Sequence, residues 1–418
     1  MPRTARLGRI LLCASRCDCV SATLGEVYPG ERLTRAALII LGEDMPRARV
    51  AGLAWPEFQL RQVQRVHAMH VVVVAGRVSR DIVEALDRLR AEGMSATLVR
   101  TPADAADLFH PDEAVLVLSG AAVVDAARLD ALFDAPEATI VCLRGPDADP
   151  RYELIDARDR WIGIARLQGA QVRETAEVVG KWDFGSMLLR AAVRTKAQRI
   201  VLTESDHLID AAEPGAAARA ARALLSAVAM TARGWGGRCV IEPVARIVAE
   251  LGIDVLPTAA RGAPWLASAL LVAAPIAALM GGIALGFALV LFAATTSAIG
   301  RLAVGATGCP ARLVAVLPAL NTIAVILVLA IATWPHGHDL TQPFAATVLI
   351  GLAGLGMRLR PTGAVPVWLA DIAGSALILF VASLFGSIGL TLGLLATVAH
   401  NFASLGWLQN RLSEPLTR

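Results

Sequence analysis

Between Pro264 and Ile299 the chain runs for 36 residues without one charged side chain. A bilayer's hydrocarbon core is about 30 Å thick, and one helix needs roughly 20 apolar residues to cross it. The block is too long for one crossing and suits two short ones. Met280-Gly281-Gly282 is the natural tight turn between them, because glycine accepts the positive φ such a turn requires. Further apolar runs at Leu313–Trp334, Phe344–Met357, Val365–Phe385 and Ile388–Trp407 bring the expected number of spans to six. Everything before Pro264 then reads as a soluble domain tethered to them.

Charge supports the same division. Residues 264–418 hold six Arg, three acids and no Lys, a net of +3 that equals the net of the whole chain. The front half is therefore neutral, without the basic field that nucleic acid binding needs. Arg261, Arg301, Arg312, Arg358, Arg360 and Arg411 all fall on one side of a six-span arrangement, and the opposite turns carry no Lys or Arg. The excess of positive charge on cytoplasmic loops places both termini in the cytoplasm, as in a multi-pass protein of a bacterial inner membrane. Membrane lipids are expected partners, and the Gly282-x3-Gly286 spacing is of the type that allows helices, or two copies of the membrane domain, to touch.

Six cysteines do not form a disulfide framework in a reducing compartment. The Cys13, Cys17, Cys19 cluster lacks a nearby His or fourth Cys, which argues against a metal site. The apolar run Ile10–Ala14 is too short for a secretory signal, so residues 1–35 are expected to be a poorly ordered extension.

From Ala36 onward, short β-branched runs alternate with amphipathic stretches. Strands are expected at Ala36–Leu41, His70–Ala75, Ser95–Arg100, Ala114–Leu118, Ala138–Leu143, Trp161–Ala165 and Arg199–Thr203. Helices are expected between them at Pro56–Val66, Arg80–Ala91, Ala103–Phe109, Ala126–Phe133, Gln171–Val178 and Ser186–Thr195. That alternation implies a mostly parallel sheet covered on both faces. The domain plan is thus an α/β domain over 36–210, a helical linker over 211–263 and an all-α six-helix transmembrane domain over 264–410. Within the linker, Val240–Leu251 interleaves apolar residues with Glu242, Arg246 and Glu250. It suits either an amphipathic helix at a membrane surface or a surface helix closing the soluble domain.

The strand–loop–helix–strand order of residues 36–75 resembles the sugar-phosphate nucleotidyltransferases of the glycosyltransferase-A-like kind. That resemblance implies a loop holding nucleotide phosphates through backbone N–H groups. Arg47 or Arg49 stands where the family's signature arginine sits, but Glu43-Asp44 repels phosphate and the family lysine is replaced by Leu53-Ala54-Trp55-Pro56. A second match, residues 115–125, implies a Mg²⁺-holding Asp at Ala121, where a methyl group supplies no ligand. Asp125 and Asp183 are the acids left as substitutes. Asp125 better suits a helix N-cap before Ala126, and Asp183 the turn before the next helix.

Gly234-Trp235, Arg238, Pro243, Arg246 and Pro257-Thr258-Ala259, followed by the apolar spans, resemble the CDP-alcohol phosphotransferase family. Both domains on one chain look like the bifunctional enzymes that make inositol-phosphate diesters. The phosphotransferase signature implies four carboxylates that bind divalent metal and activate an alcohol. Anchored on Arg301, it puts Ala293, Thr296, Val314 and Pro318 at the acidic positions, and no acid lies between Asp254 and Asp339. Only the arginine survives.

Asp371 is the one acid inside an expected span. It suits an intramembrane functional carboxylate, a group kept wet near the interface, or a partner of Arg358 or Arg360. The remaining polar clusters are Thr203–His207 after the last strand, His336, His338 and Asp339 in a loop, and His400-Asn401 near the last helix end. The expected function is a catalytically degenerate partner or scaffold in phospholipid or phosphodiester head-group synthesis. Its candidate ligand residues are Arg47, Arg49, Asp125, Asp183, Arg238, Arg246, Arg301 and Asp371, toward a nucleotide or CDP-alcohol. No cofactor is expected, with Mg²⁺ reserved for the alternative of an active phosphotransferase. The third alternative is a small-molecule or lipid transport component.

Overall fold

The structure is a computed structural model that describes residues 35–42, 49–120, 122–124, 126–144, 152–179, 182–202, 209–210, 215–228, 234–309, 311–333 and 368–413. Its main sheet contains β1 (Arg35–Leu41), β2 (His70–Ala75), β3 (Ser95–Val99), β4 (Ala114–Ser119), β6 (Thr139–Arg144), β8 (Asp159–Gln168) and β9 (Gln198–Leu202). Their order is β3-β2-β1-β4-β8-β6-β9, with the short β7 (Glu153–Leu154) alongside β8. A separate pair joins β5 (Ala122–Val123) to β10 (Ile209–Asp210). The pairs β1–β2, β1–β4, β2–β3 and β6–β9 are parallel, as the alternating pattern implies. β8 is the exception, running antiparallel to both β4 and β6. The sheet is mixed, not wholly parallel.

Period-two alternation gives the sheet two apolar faces. Ala37, Ile39, Val71, Val73, Leu116 and Leu118 point to one core. Ala36, Leu38, Val72, Val74, Val115 and Val117 point to the other. One face is covered by α1 (Trp55–Arg65), α2 (Arg80–Ala91) and α4 (Ala126–Phe133). The other is covered by α3 (Pro102–Ala106), α5 (Gly169–Val178) and α6 (Phe184–Arg194). Local chemistry sets the helix starts: Ser79 Oγ accepts from the Ile82 N–H at α2, and Asp183 accepts from the Ser186 N–H at α6. Gly163 lets β8 cross the end of β4, since a Cβ there would lie 1.5 Å from the Ser119 carbonyl oxygen.

After α7 (Ala216–Ala227), a π-turn over Gly237–Ile241 leads into α8 (Glu242–Leu251). Then come α9 (Leu256–Leu279), α10 (Ile283–Thr307), α11 (Leu317–Thr333), α12 (Ile372–Ser383) and α13 (Gly386–Ser413). Among the described residues three helices are long and apolar enough to cross a membrane: Ile253–Leu279, Ile283–Thr307 and Gly386–Trp407. Leu317–Ala332 and Ile372–Ser383 are shorter apolar helices. The turn between α9 and α10 falls at Met280–Gly282, with Gly281 at φ +89°. The expected span Phe344–Met357 lies outside the described residues.

α1 is the joint between the sheet and these helices. Leu60 and Val63 belong to the sheet core, while Trp55 and Phe58 pack with Leu302, Ala303 and Ala306 of α10. Gly308 ends α10 in the left-handed conformation and lies under Arg61 and Arg65. Arg65 donates to the Gly305 carbonyl, one of the free acceptors at that helix end.

Candidate functional site

Three of the arginines singled out in the sequence lie on elements that pack together. Arg238 is in the π-turn, Arg246 is on α8, and α8 packs on α10, which carries Arg301. Arg238, Glu242 and Arg246 follow at four-residue intervals, so they share one side of that helix. Glu242 is buried, and its charge reaches Arg301. Arg301 Nη1 also donates to Ser297 Oγ at 3.1 Å, which steers the guanidinium along α10. All three arginines are half-buried. Three guanidinium groups on packed elements, against one carboxylate, leave an excess of positive charge that suits an anion, and planar guanidinium forks match phosphate oxygens.

The opposite face of α8 is apolar and exposed. Val244, Ile247, Val248 and Leu251 recur at helical spacing, with Leu251 at 85% exposure, and Val255 and Trp265 extend the surface toward α9. Arg246, with Arg238 one turn before it, therefore lies on a helix whose far face is fit for a lipid surface.

Asp371 is the N-cap of α12, not a residue inside that helix. Its carboxylate accepts from the N–H groups of Gly374 (2.7 Å), Gly237 (2.7 Å) and Gly236 (3.2 Å). The last two belong to the start of the π-turn. Hydropathy alone obscured this role, although an Asp ahead of an apolar run is a cap signal. Around it, the backbone N–H of Trp235 donates to the Leu369 carbonyl, and Ser404 Oγ of α13 accepts from the Ala370 N–H. An apolar groove of about 840 Å³ between α12 and α13 ends at Trp235.

In the α/β domain, Asp183 and Ser119 both flank Gly185 at the carboxyl edge of the sheet. A Cβ on Gly185 would lie 2.7 Å from Ser119 Oγ and 3.2 Å from Asp183 Oδ2. Gln59 Nε2 of α1 donates to the Gly120 carbonyl at the same edge. Open α/β sheets bind ligands outside the carboxyl ends of their strands. Arg49 is exposed and donates only within its own turn, to the Gly52 carbonyl at 3.3 Å. Arg47, Asp125, Arg358, Arg360, the Thr203–His207 cluster and the His336–Asp339 group lie outside the described residues.

No protein-family model matches the chain. Curated protein sequences give no match either. Among solved structures, the chain is similar to the inositol-1-phosphate CTP transferase from T. maritima, at 12% identity and a TM-score of 0.31, over 41% of this chain and 86% of that one. A likeness at this level assigns no activity.

The Mg²⁺ that the phosphotransferase resemblance implies does not fit the side chains present. Ala293 is a buried methyl group, Ser297 faces a guanidinium, and neither α10 nor α11 carries an acid. A positive arginine stands where a cation and its carboxylates would be needed. Among the described residues, no three His, Cys, Asp or Glu side chains come together as metal ligands. The sequence marks Glu242 only as a polar residue of an amphipathic stretch, because its approach to Arg301 depends on how α8 docks on α10.

Proposed function

We propose that this chain is a membrane-embedded protein, related to nucleotidyltransferase and CDP-alcohol phosphotransferase proteins, that binds a phosphate-bearing head group without turning it over. It would serve as a partner or scaffold in phospholipid or phosphodiester head-group synthesis. We place it in a bacterial inner membrane with both termini in the cytoplasm. The observation that carries this reading is Arg238 and Arg246 one turn either side of Glu242, whose charge reaches Arg301 on the packed α10, with the other face of α8 apolar and exposed. Guanidinium groups bind phosphate well, but phosphoryl transfer of this kind relies on metal-bound carboxylates, for which α10 and α11 have no side chains.

The test is binding and turnover by the full chain in phosphatidylcholine nanodiscs. CTP, CDP and CDP-diacylglycerol are titrated with Mg²⁺ and with EDTA, and CMP release is followed when an alcohol acceptor is added. Binding that survives EDTA, with no CMP released, is the expected result. Mg²⁺-dependent CMP release would establish the active-enzyme alternative. For the transport alternative, three backbone N–H bonds to Asp371 count against a carboxylate free to carry a solute.

A further inference from the structure

Asp371 joins two helix starts that are more than 130 residues apart in sequence. One oxygen accepts from Gly374 and Gly236, the other from Gly237, so one side chain serves the free N–H groups of both α12 and the π-turn. The packing permits no slack. A Cβ on Gly236 would lie 2.1 Å from the Gly374 nitrogen, and one on Gly234 would lie 2.4 Å from the Asp371 Cβ. Arg238 is the residue immediately after Gly237, and its own N–H donates to the Gly234 carbonyl. The turn fixed by Asp371 is therefore the turn that aims Arg238. Glu242, the next residue of the same side, closes the π-turn through its N–H to the Gly237 carbonyl. Arg301 is held separately, by Ser297 on α10.

We infer that Asp371 is a positioning residue for the arginine site, setting Arg238 and Glu242 against Arg301 so that the site accepts a phosphate or diphosphate group. This rests on the anion-binding reading above. The five-residue π-turn supports it, since π-turns inside helices are frequent at functional sites. The phosphate can belong to a soluble nucleotide or to a lipid head group, and the experiment separates the two.

The full chain in phosphatidylcholine nanodiscs is titrated with CDP at several salt concentrations. In a second arm, the same nanodiscs carry phosphatidic acid and its retention is read by native mass spectrometry. Two variants are used. Asp371→Asn keeps the shape but puts an N–H₂ against the glycine amides. Asp371→Ser keeps a good cap for α12 but does not reach Gly236 and Gly237, so it separates the positioning from the folding of α12. Both are expected to weaken binding about tenfold in whichever arm the wild type binds, and to flatten its salt dependence. Combined with Arg238→Gln they should add little further loss, because the same arginine is already misplaced. Combined with Arg301→Gln the losses should add. Unchanged affinity and salt dependence in Asp371→Ser, or full additivity with Arg238→Gln, overturns the positioning role and leaves the anion-binding reading standing. A wild type that binds neither probe overturns both.

Discussion

Arg61 offers the most direct test of how α1 is held against α2 within the α/β domain. Its side chain is fully buried, and its guanidinium contacts Glu57 at 3.1 Å and Glu92 at 3.0 Å. Burial alone would pull its pKa down; the hydrogen bond and charge of Glu92, with Glu57, more than reverse this and raise it. Glu57 is buried too, and its other cation is the half-exposed Arg88 at 3.4 Å. Arg61→Met keeps the apolar stem over Gly308 and deletes the charge. Breaking a buried pair from one side costs about 3–5 kcal/mol. The remaining contact from Arg88 places the expected loss at the low end, about 3 kcal/mol, or a fall in Tm of about 6–12 °C. Thermal unfolding in nanodiscs reads this directly. Adding Glu57→Gln should recover part of the loss, because the stranded carboxylate goes with it. A fall in Tm under about 2 °C, or a double variant less stable than the single, would refute the reasoning.

Three further outcomes are expected. Among the described residues neither buried carboxamide atom of Gln62 has a partner, so Gln62→Leu should raise stability by about 1–2 kcal/mol, and a fall in Tm would contradict that accounting. Burial, with Asp159 close by, pushes the Cys142 thiol up to about 12, whereas Cys239 is exposed. Iodoacetamide at pH 8, read site by site by mass spectrometry, should modify Cys239 and spare Cys142 in the folded protein. Asp156 is held down to about 2, first by the hydrogen bond from Arg199 and then by the Arg158 and Asp159 N–H groups. The folded state therefore binds this proton less readily than the unfolded chain. The stability it contributes is present above the ordinary value of 3.8 and is lost as pH falls toward 2. Asp156→Asn should flatten that acid limb of the unfolding curve, and an unchanged limb would show that Asp156 does not contribute to it.

Much of the α/β domain was legible in the sequence because each element announces itself locally. α2 occupies the expected Arg80–Ala91, started by Ser79, and β2 occupies His70–Ala75, a run of four valines that suits only a strand buried on both faces. β8 extends well beyond the expected Trp161–Ala165, to Asp159–Gln168. Its ends are Arg160, Arg166 and Gln168, which carry no strand signal, and pairing on both sides recruits them. Its antiparallel direction is likewise a property of the assembled sheet. In the helical region, composition marked the turn at Gly281 and the arginines. It did not distinguish a carboxylate inside a helix from one standing just ahead of it, which is the difference between a buried functional acid and the cap that Asp371 forms.

The burial of α1 on both of its sides bears on how the protein is made. Synthesis delivers α1 more than 200 residues before α10, so Trp55 and Phe58 must wait, partly uncovered, until the later helices have been made and packed beneath them. Residues 35–228 released alone would display that waiting surface permanently. Expressed by itself, this half should clump or cling to chaperones, and supplying the missing helices on a second polypeptide should bring it back into solution.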